Sequence, residues 1–376
     1  MNSAFELLLD KLSAQAAIKD IPLNGAFELT SRCSLNCKMC YVHTNRDDTG
    51  VKERELTAQQ WIRLAEDARE AGMLNLILTG GEVFVRQDFE EIYEHLARMG
   101  FNINLYSNAT LIDEKKVKWL GRIPPAQMEI TLYGASADTY ERLCGNRDAY
   151  RAAIRNIDLL LSEGVNIELK TTVTYDNMKD YAELAEFAYK RGLPLSIVDY
   201  LYPARVAACT AEENRLSPED LADFLKTVDK TNRHIYGDNC NEQQGQESES
   251  RQDKLLQELM DIKQSSGLKT SAFRCNAGKS DFWITWDGRM LPCGVLEEPS
   301  ALPLEYGFKK AWELVGSGCK SIPLCRQCYE CRHIEYCNMC PAKLKSETGH
   351  FDKPAPYLCR LAELVGDRME KLATKD

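Results

Sequence analysis

An α/β fold is what this chain of 376 residues predicts: a partial (β/α)6 barrel of parallel strands, then a small cysteine-rich C-terminal domain. Two observations carry that reading. Between Ala26 and Tyr200, six short apolar runs alternate with five longer stretches of helical periodicity, the pattern of repeated βαβ units. Beyond Phe273 the alternation stops, and nine of the chain's 15 cysteines gather there. Apolar residues at 44% and charged residues at 28% are ordinary for a protein with a buried core.

Residues 1–21 form a lead-in, with an amphipathic helix predicted over 3–17. The barrel is assigned to 22–203. Its strands are Ala26–Thr30, Leu74–Thr79, Ile103–Ser107, Met128–Tyr133, Val165–Val173 and Leu195–Tyr200. Helices are predicted at 57–71, 88–99, 113–120, 150–163 and 178–191, placing the chemistry at the C-terminal strand ends. Residues 204–272 read as a helical linker region. A helix runs there from Ser217 to Lys230, with Ser217 as N-cap and Pro218 in the first turn, and a polar loop covers 238–253. The cysteine-rich domain spans 273–362, with Trp286-Asp287-Gly288 marking a hairpin turn, and 363–376 form a C-terminal helix and tail. No repeat of fixed period is visible.

A formal net charge of −10 without a long Lys/Arg run makes nucleic acid an unexpected partner. The N-terminus lacks a signal-peptide core and no stretch is long and apolar enough to cross a membrane, so a cytoplasmic location is expected. In a reducing compartment, 15 cysteines against 5 histidines suggest metal ligands or redox groups rather than disulfides. So few histidines count against histidine-based acid–base chemistry.

Cys33, Cys37 and Cys40 come after the first strand in C-x3-C-x2-C spacing. Three thiolates this close can hold three irons of a cubane and leave the fourth open to an exogenous ligand. Unrelated thiols or part of a zinc site are the competing readings. Thr79-Gly80-Gly81-Glu82 ends the second strand, Tyr106-Ser107-Asn108-Ala109-Thr110 the third, and Thr131-Leu132-Tyr133-Gly134 the fourth.

On these segments the chain resembles the radical S-adenosylmethionine (SAM) superfamily over residues 22–200. The resemblance implies a [4Fe–4S] cluster on Cys33, Cys37 and Cys40, with SAM on its open iron. Met39 takes the place of an aromatic residue near the adenine. Gly80, Gly81 and Glu82 correspond to the segment that binds the methionyl amino group, and Ser107 and Asn108 to polar cofactor contacts. Two departures stand out. Tyr133 replaces an Asp, and Cys144 stands where many members have Arg, leaving the ribose and carboxylate contacts to Thr131 and to Arg142 or Arg147.

Cys275, Gly288-x4-Cys293, Cys328-x2-Cys331-x5-Cys337-x2-Cys340 and Cys359 resemble the SPASM extension of that superfamily. That resemblance implies two auxiliary [4Fe–4S] clusters. One is on Cys328, Cys331, Cys337 and Cys359. The other is on Cys275, Cys293 and Cys340, with Asp281, Cys319, Cys325 or substrate as fourth ligand. Zinc in the C-x2-C pairs is the alternative.

Together the two resemblances imply an oxidoreductase that generates a 5′-deoxyadenosyl radical to cross-link, or otherwise modify oxidatively, a ribosomally made peptide. A flavodoxin- or ferredoxin-type reductant and a separate leader-recognition protein are the expected partners, since only some 25 residues precede the barrel. Gly294 replaces the catalytic Asp of sulfatase-maturing relatives. Modification of a tetrapyrrole, sugar or amino acid derivative is the alternative, and a non-catalytic iron–sulfur electron carrier is another. Asp199, Tyr200, Tyr202 and Arg205 are the residues expected to face substrate.

Overall fold

The computed structural model describes residues 4–42, 44–202, 211–237 and 271–373. Arg205, Cys209, Cys240 and the polar loop expected at 238–253 lie outside them. Two compact units result, one of Lys19–Arg215 with Ala277–Ser317, the other of Met1–Ile18, Leu216–Asn276 and Gly318–Asp376.

In the first unit, β1 (Asn24–Glu28), β2 (Asn75–Thr79), β3 (Asn102–Ser107), β4 (Gln127–Thr131), β5 (Ile167–Thr172) and β6 (Leu195–Val198) lie side by side in chain order, all parallel. These are the six expected strands. The sheet continues past β1 with β7 (Asp281–Ile284), parallel to it, and β8 (Met290–Leu291), antiparallel to β7 across the predicted Trp286-Asp287-Gly288 turn. Gly288 sits at φ +89°, in the left-handed region open to glycine. The domain boundary expected at 273 is therefore displaced. Residues 277–317 belong to the barrel unit, because β7 completes its sheet and Phe282 packs edge-on against Phe308 and Trp312.

Strand alternation sorts the side chains. Leu76, Leu78, Ile103, Leu105, Met128, Ile130, Ile167 and Leu169 are buried on one face, where Phe27 of β1 stacks at 5.0 Å on Trp61 of α2 (Ala58–Glu70). Polar groups occupy the other face. At the N-terminal strand ends, Asn102 donates to Asn75 (3.0 Å), Asn75 to Asn24 (2.8 Å) and Asn24 to Asp281 (2.7 Å). This amide ladder closes the polar groups of four adjacent strands among themselves, as buried polar atoms require.

The helices begin where local chemistry predicts. Thr57 and Gln60 form a capping box on α2, and Asp113 caps α3 (Glu114–Arg122). Among the helices outside the expected set is α4 (Ala137–Cys144), capped by Ser136 and ended by Gly145 at φ +67°.

In the second unit, α1 (Ala4–Ile18) and α6 (Pro218–Tyr236, capped by Ser217 as expected) join α7 (Pro356–Ala373). Arg360 pairs with Glu219 and Arg368 with Asp229 along α6 and α7, and the Tyr357 hydroxyl donates to the Leu216 carbonyl. The lead-in helix thus groups with this unit. Among the described residues no helix is long and apolar enough to cross a membrane.

Candidate active site

Cysteines and strand ends meet at the C-terminal end of the barrel. After β1 the chain passes through Thr30-Ser31-Arg32 into the cysteine loop, and this segment is held firmly. Arg32 and Arg86 are buried and share the Glu55 carboxylate, Arg32 at 2.8 Å and Arg86 at 3.6 Å. Arg86 also donates to the carbonyls of Leu29 and Leu56. A cleft of about 560 Å³ beside these groups is lined by Arg32, Glu55, Arg86 and Asp88, whose charges are paired with one another.

Gly80 and Gly81 seat the next loop against the same segment. A Cβ on Gly80 would lie 2.4 Å from the Thr30 carbonyl oxygen, and one on Gly81 2.5 Å from that of Arg32. In exchange, Gly81 N–H donates to Thr30 and Glu82 N–H to Arg32. The glycines thus allow two backbones to touch.

Glu82 turns inward, 1% exposed, and caps the end of β3. Its carboxylate accepts from the Ser107 hydroxyl (2.9 and 3.0 Å) and the backbone N–H of Asn108 (2.8 Å) and Phe84 (3.2 Å). Burial pushes its pKa up to about 7, although those donors oppose the rise. Asn108 in turn directs its side-chain amide at the Cys33 sulfur, 3.6 Å away.

A cavity of about 280 Å³ opens beside the cysteines. Of the sequence-predicted residues, Cys37, Met39, Cys40, Gly80, Gly81, Ser107, Asn108 and Thr131 line it, as do Tyr200 and Tyr202. Glu82 stands behind the wall. Arg142 does not reach the cavity. Its half-exposed guanidinium pairs with Asp176 and Thr139, and Arg147 pairs with Asp138 at the surface. Neither arginine replaces the one absent at Cys144.

The structure adds a group that the motifs did not single out. Lys170 of β5 pairs at 2.5 Å with Glu129 of β4 and lies 5.1 Å above the Tyr106 ring, all three on the cavity wall. Burial raises the pKa of both Glu129 and the Tyr106 hydroxyl. Lys170 is the single cation among the described lining residues. Its signal was the alternation Glu168, Lys170, Thr172, polar positions in a strand whose other face is buried.

In the second unit, Cys328, Cys331, Cys337 and Cys359, the four expected to act together, line one cavity of about 570 Å³. Burial raises the pKa of Cys328, Cys337 and Cys359. Cys325, outside the cavity lining, lies behind Cys328 with its sulfur 3.3 Å away. Cys275 and Cys340 belong to this unit and Cys293 to the barrel unit, while Asp281 is committed to the amide ladder at the opposite strand ends from Gly80.

The radical SAM superfamily model matches residues 27–188, from β1 into α5 (Tyr181–Lys190), which contain all three loop cysteines and the Gly80-Gly81-Glu82 turn. The chain carries a radical SAM domain. Proteins similar to it include the AdoMet-dependent heme synthase of Methanosarcina barkeri. That protein is 24% identical over 344 residues, which cover 91% of this chain and 97% of the relative. The sporulation killing factor maturation protein SkfB of Bacillus subtilis is 21% identical over 84% of this chain and 69% of its own. Among solved structures, Streptococcus suis SuiB bound to its precursor peptide SuiA shares the fold with a TM-score of 0.68 at 18% identity, covering 96% of this chain and 82% of that one. As a radical SAM enzyme, this protein works with SAM and a [4Fe–4S] cluster.

Proposed function

We propose that this enzyme oxidatively modifies a ribosomally made peptide by radical hydrogen abstraction. Cys33, Cys37 and Cys40 hold the cluster. The donor set suits it: three soft thiols on one loop, with the cavity against Cys37 and Cys40 and a side-chain amide against Cys33. When bound, that cluster supplies the electron that opens SAM into methionine and a 5′-deoxyadenosyl radical.

The chain's own residues prepare the place for this. Glu82 holds Ser107 and Asn108 in position, and the Gly80-Gly81 backbone forms a wall that no side chain occupies. Met39, 7% exposed, covers part of the loop with apolar surface. Lys170 brings positive charge to the cavity, compensated by Glu129, where an anionic group of cofactor or substrate finds a counter-charge. Cys328, Cys331, Cys337 and Cys359 hold an auxiliary cluster, which can take up the electron that substrate oxidation releases. A ferredoxin- or flavodoxin-type donor in the cytoplasm and a separate leader-recognition protein complete the system.

The observation that carries the peptide reading is that the likeness to SkfB, named for peptide maturation, and to SuiB in complex with its precursor peptide runs beyond the barrel into the cysteine-rich C-terminus. A second reading, tetrapyrrole modification, is favoured by the heme synthase, which aligns over nearly its whole length. The two are separated by anaerobic turnover with SAM and dithionite. A candidate peptide substrate, sought among the genes flanking this one, should lose a pair of hydrogens while 5′-deoxyadenosine accumulates. Turnover of an iron–porphyrin carboxylate, with that peptide unchanged, would transfer the assignment to the second reading.

A further inference from the structure

Cys33 is set apart from the other two cysteines of its loop. It is 9% exposed and lies behind the cavity wall that Cys37 and Cys40 help to form. Its sulfur accepts two hydrogen bonds, from the backbone N–H of Leu35 at 3.4 Å and from the Asn108 side-chain amide at 3.6 Å. Sulfur is a large, weak acceptor, so both contacts are longer than bonds to oxygen.

Which end of the Asn108 amide faces Cys33 follows from Thr110. Its backbone N–H and its hydroxyl both donate to the same Asn108 atom, at 2.9 and 2.6 Å, and only the amide oxygen can accept them. The nitrogen is thereby turned to the sulfur. Thr110 Oγ1 is also 3.1 Å from the hydroxyl of Ser34, so a chain of contacts leaves the cysteine loop at Ser34 and returns to it at Cys33. The strand end that carries Asn108 is pinned as well. Ala109 N–H donates to the Ser107 hydroxyl at 2.9 Å, and the Ala109 carbonyl accepts from the buried Asn156 side chain at 2.7 Å. Asn108 itself is 4% exposed, and its amide has little freedom to turn away.

We propose that Asn108, by donating from Nδ2–H to Cys33 Sγ, raises the reduction potential of the cluster held by the cysteine triad. The proposal rests on the reading that Cys33, Cys37 and Cys40 hold that cluster. A metal-bound thiolate can only accept, and the amide nitrogen can only donate, so the direction of the bond is fixed. Such a bond draws charge from the sulfur and favours the more electron-rich, reduced cluster. The Leu35 bond comes from the backbone and is common to any side chain there. Asn108 is the donor that sequence can change, and its role extends from the cavity to a cluster ligand.

The test is EPR-monitored redox titration of the anaerobically reconstituted full-length enzyme without SAM. The signal followed is the one that responds to SAM in a parallel sample. With no SAM present, a lost contact to SAM cannot move the midpoint. Asn108→Leu keeps a similar volume and removes the donor, and should shift the midpoint to more negative potential at unchanged iron content. An unshifted midpoint overturns the proposal. A second readout leaves Asn108 in place. In protein carrying 15N in its asparagine side chains, with exposed Asn36 of the loop replaced (Asn36→Ser), electron–nuclear double resonance of the reduced cluster should show a 15N coupling. Its absence also overturns the proposal. If the SAM-responsive signal survives replacement of Cys33, Cys37 and Cys40 by Ala, the assignment of the triad fails, and the proposal with it.

Discussion

Glu82 is the residue on which the site turns. It is buried and bonded to Ser107 and Asn108, and it titrates at about 7 in the folded state, against 4.5 when free. Between those values the folded state binds the extra proton. Its contribution to stability is therefore greatest below about pH 4.5, falls as pH rises towards 7, and levels off above, with a total change of up to about 3 kcal/mol. Denaturant titration of the cluster-free protein should show this fall, and Glu82→Gln should flatten it. Ala109 offers a second test. It comes after Asn108 at φ +58°, fully buried, a conformation that costs an L-residue with a Cβ. Ala109→Gly should leave the Asn156 bond to its carbonyl in place and alter unfolding free energy by about +1 kcal/mol in favour of the fold. A destabilised variant would show that the methyl group's packing outweighs the backbone strain. Sequence segments alone marked Glu82 and Asn108 as a pair of sites. That one carboxylate serves the other segment's backbone depends on two strand ends 25 residues apart, which only the fold brings together.

At the level of elements, the parallel strands were legible because their apolar positions alternate with helical periods, and each landed within a few residues of its prediction. Two features were not. β7 joins the sheet beside β1 from more than 250 residues away, a pairing no local pattern encodes. Helix α4 has eight residues, too few for clear periodicity, yet its end seats the cysteine loop through Asn36 and Lys38. Arg142 and Arg147 were expected, from the resemblance, to stand in for the arginine missing at Cys144, but nearby acids, Asp176 and Asp138, hold them at the surface. The amide ladder across the strand ends is itself testable. Asn75→Ala would strand the Asn24 carbonyl oxygen and the Asn102 amide, both part-buried, at a cost of about 2 kcal/mol in chemical denaturation. A loss below a few tenths would mean the ladder is solvated and does not hold these strand ends.

Over the whole molecule, cysteine placement divides the work. The triad sits in the barrel unit with the SAM motifs, while Cys328, Cys331, Cys337 and Cys359 share a separate cavity. Cys331→Ser combined with Cys359→Ser should lower iron and acid-labile sulfide by about four each per chain, leaving the triad's cluster in place. Unchanged iron would assign those thiols to something other than an auxiliary cluster. The measurement closest to the central claim is the EPR spectrum of the dithionite-reduced enzyme with and without SAM, read beside the formation of 5′-deoxyadenosine. In the wild type, SAM should change the spectrum and the nucleoside should form. With Cys33, Cys37 and Cys40 all replaced by Ala, both responses should disappear. A spectrum indifferent to SAM in the wild type, or cleavage that survives loss of the triad, would contradict the account.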